Sequence, residues 1–242
     1  MVKSERPPTR REKLYILHGW TYTLKPWQPT VDLLRAAGVE PVFLKVPGLT
    51  SPSRKVWTVE DYLVWLDKRL ASAVRPAVLG HSNGGRLLLN YCASRPDKIG
   101  RLILLNSAGV PPGRFLRLRN AAFRYLSKIF GFAKNITPLR KLVYRLLGAG
   151  DYNQAPANMK PTLGNMLDSD YELEAKLPAI GTPVNFVWGE NDKVTRPAAG
   201  RFLESRLPNV ESFEVLAGAG HAPYLTHPAE LTRAILKVLM NQ

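Results

Sequence analysis

The chain has 242 residues, a formal net charge of +15 and a single cysteine, Cys92. That length supplies one sizeable core, with or without a small insertion. One cysteine excludes an internal disulfide and cysteine-rich zinc sites, and no apolar run reaches the roughly 18 residues that span a bilayer.

Residues 1–13 are basic and polar, with two prolines and no apolar core of a secretory signal. They read as a flexible tail on a cytoplasmic protein. Beyond them, short apolar runs predict strands over 14–17, 39–46, 77–80, 102–105, 184–188 and 212–216. Most of these runs are continuously apolar, which suits strands buried on both faces of a parallel sheet. Helices are predicted between them over 31–37, 59–74, 86–94, 197–207 and 228–240. Thr58 followed by Glu60 and Asp61 puts acidic side chains in a first helical turn, where they complement the dipole. Strand and helix alternate, so the expected fold is α/β, a doubly wound, mostly parallel six-stranded sheet.

Residues 111–178 break that alternation, with helical patterns and no strand. The segment reads as a helical cap inserted into a core made of 14–110 and 179–242. Ligands of open α/β sheets bind at the carboxyl ends of the strands, so the cap would roof the site.

The densest chemical signal is Gly80-His81-Ser82-Asn83-Gly84-Gly85, between a predicted strand and a predicted helix. A serine with glycine two residues before and two after fits a sharp strand-to-helix turn that exposes its hydroxyl. A hydroxyl near neutral pH needs a base within hydrogen-bond reach, and the base needs an orienting carboxylate. Of four histidines, His81 adjoins Ser82 and should point away from its reacting face. His18 ends a strand in a loop-shaping position, and His227 precedes Pro228 at the start of the last helix. His221, in the small-residue loop Ala217-Gly218-Ala219-Gly220-His221, is therefore the candidate base. Asp192, in Trp188-Gly189-Glu190-Asn191-Asp192, is the candidate acid, with Glu190 as its competitor. Developing negative charge needs donors, for which the backbone N–H groups of Asn83 and Trp20 are the candidates. Their side chains need not take part.

These motifs, with His18-Gly19-Trp20, stand in the order nucleophile, acid, base, each at a predicted strand end. The chain resembles the α/β-hydrolase fold superfamily from about Leu14 onward, in its capped serine-hydrolase form. The resemblance implies a sheet that lacks the first two strands usual in that superfamily. It implies ester hydrolysis through an acyl-serine intermediate on a small-molecule acyl substrate, without metal or organic cofactor. Epoxide hydrolases and haloalkane dehalogenases of similar fold carry aspartate at the elbow, and Ser82 argues against both. Cleavage of a thioester or carbon–carbon bond by the same residues, or a silent membrane-docking relative, are the alternatives.

Charge is concentrated between Pro111 and Gly150, where nine basic residues, among them Arg114, Arg117, Arg124 and Lys128, meet no acidic one. Phe115, Leu118, Ala122, Leu126 and Ile129 fall on the opposite helical face. Such a face suits solvent, an anionic membrane surface or an acidic ligand. No recognised nucleic-acid motif accompanies it. Trp57, Trp65, Cys92, Met159 and Met166 are expected to pack rather than bind.

Overall fold

The computed structural model describes residues 12–111 and 156–240. Residues 1–11 and 112–155, most of the tail and of the basic segment, lie outside the described residues, and so do the expectations placed on them; Glu12 and Lys13, expected in the tail, belong to a strand.

Six strands form one sheet: β1 (Glu12–Leu17), β2 (Val39–Phe43), β3 (Ala77–His81), β4 (Arg101–Leu105), β5 (Val184–Gly189) and β6 (Val210–Leu216). Their order is β2-β1-β3-β4-β5-β6, and every pairing is parallel, where the sequence suggested only mostly parallel. The helices are α1 (Gln28–Ala36), α2 (Val59–Leu70), α3 (Asn83–Ser94), α4 (Met159–Lys176), α5 (Pro197–Arg206), α6 (Pro223–Thr226) and α7 (Pro228–Met240).

Alternation of side chains across the sheet splits the core in two. Leu102 and Leu104 join Leu63, Leu66, Leu88 and Leu203 on the face of α2, α3 and α5. Ile103 and Leu105 join Val31, Leu34, Leu231 and Ile235 on the face of α1 and α7. A strand covered on both faces has no polar side to show, hence its unbroken apolar run.

Helix ends follow local chemistry. Thr58 caps α2 by accepting from the Asp61 amide at 3.2 Å, and its own amide donates back to Asp61 Oδ2 at 2.9 Å. α1 begins three residues before the predicted start, because Pro29 fits a first helical turn. α2 stops at Leu70, short of the predicted end; Arg75 just beyond has φ 44°.

α4 lies between β4 and β5 in sequence and buries Met159, Met166 and Leu173 in the α2–α3 core. Asn158, Thr162 and Asn165 tie its first half to the loop before α2. Asn165 donates to the Trp57 carbonyl at 3.0 Å, and Thr162 accepts from the Trp57 amide at 3.0 Å. The sheet reverses its winding between β1 and β3, which opens a crevice at their carboxyl ends. His18-Gly19-Trp20 and Ser82 both leave the sheet there.

Candidate active site

Ser82 sits between β3 and α3 with φ 51° and ψ −118°, the left-handed side of backbone space that a non-glycine residue adopts only under constraint. Its neighbours explain the constraint. A Cβ on Gly80 would stand 2.7 Å from the Gly85 Cα, and one on Gly84 would overlap the Leu17 carbonyl oxygen. Only glycine lets α3 start so close to β1 and β3.

His221 Nε2 lies 3.1 Å from Ser82 Oγ, and His221 Nδ1 lies 2.8 Å from Asp192 Oδ2. Three loops, after β3, β5 and β6, thus bring together the residues singled out in the sequence. A carboxylate accepts, so Nδ1 carries the hydrogen and the Nε2 lone pair faces the hydroxyl. Asp192 is 3% exposed. Its Oδ1 accepts from the amides of Val194 and Thr195 at 2.7 and 3.0 Å. Its Oδ2 lies 2.7 Å from the Thr195 hydroxyl. Burial pushes the Asp192 carboxyl up, but the bonds from His221, Thr195 and Val194 more than reverse this and hold it below the ordinary carboxylate range. Glu190 points elsewhere: it is exposed and accepts from the Gly218 amide at 2.8 Å.

Several contributors escaped the sequence reading. Asn106, fully buried with φ 44°, accepts from the Gly189 amide at 2.8 Å and donates to the Gly220 carbonyl at 2.9 Å. It fastens the acid loop to the base loop. His81 does turn away from the serine hydroxyl, and its Nε2 donates to the His221 carbonyl at 2.8 Å. Its ring meets Trp27 and Tyr224 edge-on. Burial, with the nearby His221, pushes the His81 imidazole down to about 3, so it stays a neutral donor. His18 bonds Gly19 and Thr50, and burial lowers it to about 4, in keeping with a loop-shaping role. An asparagine just after a predicted strand, a residue type that tolerates left-handed backbone, was the one available signal for Asn106; nothing in the sequence pointed to Thr195.

The serine opens on a cavity of about 850 Å³, near the upper end of ordinary ligand pockets. Trp20, Asn83, Arg86, Leu163, Thr195 and Phe202 are among its lining residues. The Asn83 side chain is engaged, accepting from Arg86 and lying 2.9 Å from Met166 Sδ. Cys92 is buried, with its thiol raised by burial to about 12, and Trp57 stacks on Tyr62. No group of metal-ligating side chains occurs among the described residues. Among them, no helix is long and apolar enough to cross a membrane.

Residues 14–234 match the model of the alpha/beta hydrolase family, and the chain belongs to that family. It is 29% identical to the pimeloyl-[acyl-carrier protein] methyl ester esterase of Aromatoleum aromaticum, over 91% of this chain and 95% of that protein. It is 27% identical, over 98% of its own length, to the biotin biosynthesis bifunctional protein BioHC of Teredinibacter turnerae, and spans 46% of that protein. Among solved structures, the Paleococcus ferrophilus monoacylglycerol lipase shares the fold with a TM-score of 0.65. Identity there is 20%, covering 93% of this chain and 92% of that one.

Proposed function

We propose that this protein is a serine hydrolase that cleaves carboxylic esters. The observation that carries this reading is the unbroken chain Ser82–His221–Asp192, at 3.1 and 2.8 Å, opening on an apolar-walled cavity. His221 takes the Ser82 proton as the hydroxyl oxygen attacks the ester carbonyl. The resulting oxyanion accepts hydrogen bonds from the backbone N–H groups of Asn83 and Trp20. Asn83 is the first residue of α3, and amides of a first helical turn have no acceptor within the helix. The tetrahedral species collapses, His221 passes its proton to the leaving alkoxide, and an acyl-serine remains. Water, deprotonated by His221, then attacks the acyl carbonyl; the bond to Ser82 Oγ breaks, His221 returns the proton to that oxygen, and the acid leaves. Asp192 stays ionised and orients the imidazole throughout.

Val110, Leu163, Leu167 and Phe202 on the cavity wall support a largely apolar acyl group. The Aromatoleum relative's name makes an acyl methyl ester the first natural candidate. In the same reading 111–178 is a helical cap on a core of 14–110 and 179–242, and its basic residues contact anionic membrane. Salt-sensitive co-sedimentation with anionic vesicles tests that contact.

A fluorophosphonate probe should label Ser82 in wild-type protein and leave Ser82→Ala unlabelled. A panel of chromogenic esters, thioesters and carbon–carbon substrates should show turnover of esters above the rest. Absence of labelling under conditions that label a control esterase would sink the proposal.

A further inference from the structure

Arg86 stands one helical turn beyond Ser82 on α3, lines the same cavity, and takes no part in the chemistry above. It is 6% exposed. Its Nε and Nη2 grip Asp170 of α4 at 2.7 and 2.9 Å, and Asp170 is itself 3% exposed. Its Nη1 donates to Asn83 Oδ1. Packing alone does not call for such a pair, because apolar side chains of similar volume usually serve a core as well or better. A guanidinium carries five N–H bonds in a planar fork. Among the described residues three are used, and one on each terminal nitrogen is left over.

We infer that Arg86, held by Asp170 and Asn83, is a specificity subsite that hydrogen-bonds a second, uncharged carbonyl-type oxygen in the acyl part of the substrate. The inference rests on the ester-hydrolase reading. Rigid planar donors with hydrogens to spare select an acceptor oxygen. Charge argues for a neutral one. Among the described residues the cavity wall carries Arg86, Arg196 and Glu174, and Arg86 is already paired with Asp170, so these four charges sum to zero. The acyl side follows from the proton path. The leaving oxygen has to face His221, while Arg86 is reached from Ser82 along α3 and beneath α4.

The test compares kcat/KM for three activated esters of matched chain length: p-nitrophenyl octanoate, methyl p-nitrophenyl adipate and p-nitrophenyl hydrogen adipate. Wild-type protein should favour the methyl ester over the octanoate by about fivefold to tenfold, the worth of one net hydrogen bond. In Arg86→Met/Asp170→Leu, which removes both charges together, that ratio should fall to about one. General damage cancels in the ratio. If the double variant does not fold, Arg86→Lys, which keeps the charge and loses the fork, should lower the same ratio. An unchanged ratio in the variants, or equal rates for the two neutral esters in wild type, overturns the subsite. Preference for the free acid overturns its uncharged character. Turnover of none of the three by wild type removes the ester-hydrolase reading, and the subsite with it.

Discussion

Two buried carboxylates a short way from Ser82 are held in opposite manners. Asp192, on the loop after β5, is surrounded by backbone amides, a hydroxyl and an imidazole. Their bonds, together with the charge interaction with His221, keep the carboxyl below its ordinary range despite burial. Asp170, on α4, depends on Arg86 alone for its charge balance; burial pushes its carboxyl up, with Arg86 opposing. The strand-end rim is therefore redundant in its bonding, while the buried charge between α3 and α4 is balanced by one pair. Redundancy suits a group that must stay ionised through a reaction. A single pair suits register between two helices.

The difference can be pressed from both sides. Ser82→Ala removes the nucleophile and should lower ester kcat by about a thousandfold or more with little change in melting temperature. Asp192→Asn should cost on the order of a hundredfold to ten-thousandfold in kcat, because the imidazole loses its orienting acceptor. Glu190→Gln should stay within about threefold, since its carboxylate bonds only a loop amide. A large loss in Glu190→Gln alone would reverse the assignment of the acid. On the α4 side the damage should appear in stability. Arg86→Met leaves Asp170 buried without its partner and should cost about 3–5 kcal/mol in urea unfolding, much of it recovered in Arg86→Met/Asp170→Leu.

Acid should weaken the rim by another route. His81 and His18 are buried and neutral, lowered from 6.5 to about 3 and about 4. Between those values and 6.5 the unfolded chain binds protons that the folded chain refuses. The stability from each is complete above about pH 6.5 and is lost as pH falls towards the folded value. The loss is on the order of 1 kcal/mol per histidine for each pH unit below 6.5. A flatter acid limb of stability in His81→Gln would tie the effect to that residue. A smaller loss than at Ser82 or Asp192 is expected for Thr195→Val, which removes one donor from Asp192 and should lower kcat/KM by about threefold to tenfold. Titrating the rate profile of that variant distinguishes loss of the bond to Asp192 from general loosening.

Much of the architecture was readable before any coordinates. All six strands fall where apolar runs predicted them, and Leu102–Leu105 shows why: residues facing alternate layers are all covered. Helix ends were less legible: a proline moved the start of α1, and no local signal marks the end of α2 at Leu70. The proximity of Ser82, Asp192 and His221 could be anticipated because parallel strands deliver their following loops to one edge. The fastening of that edge could not. Asn106 binds Gly189 and Gly220, and Arg86 binds Asp170 across 84 residues. Neither pairing leaves a periodic trace.

The sequence by itself determined the layered sheet and the nucleophile turn, since burial on two faces and the lack of room for a Cβ are written in local residue types. Tertiary structure alone decided which buried polar groups meet. Hydrogen-bond partners are chosen by distance in space, and loops from separate strands share no pattern along the chain that would announce them.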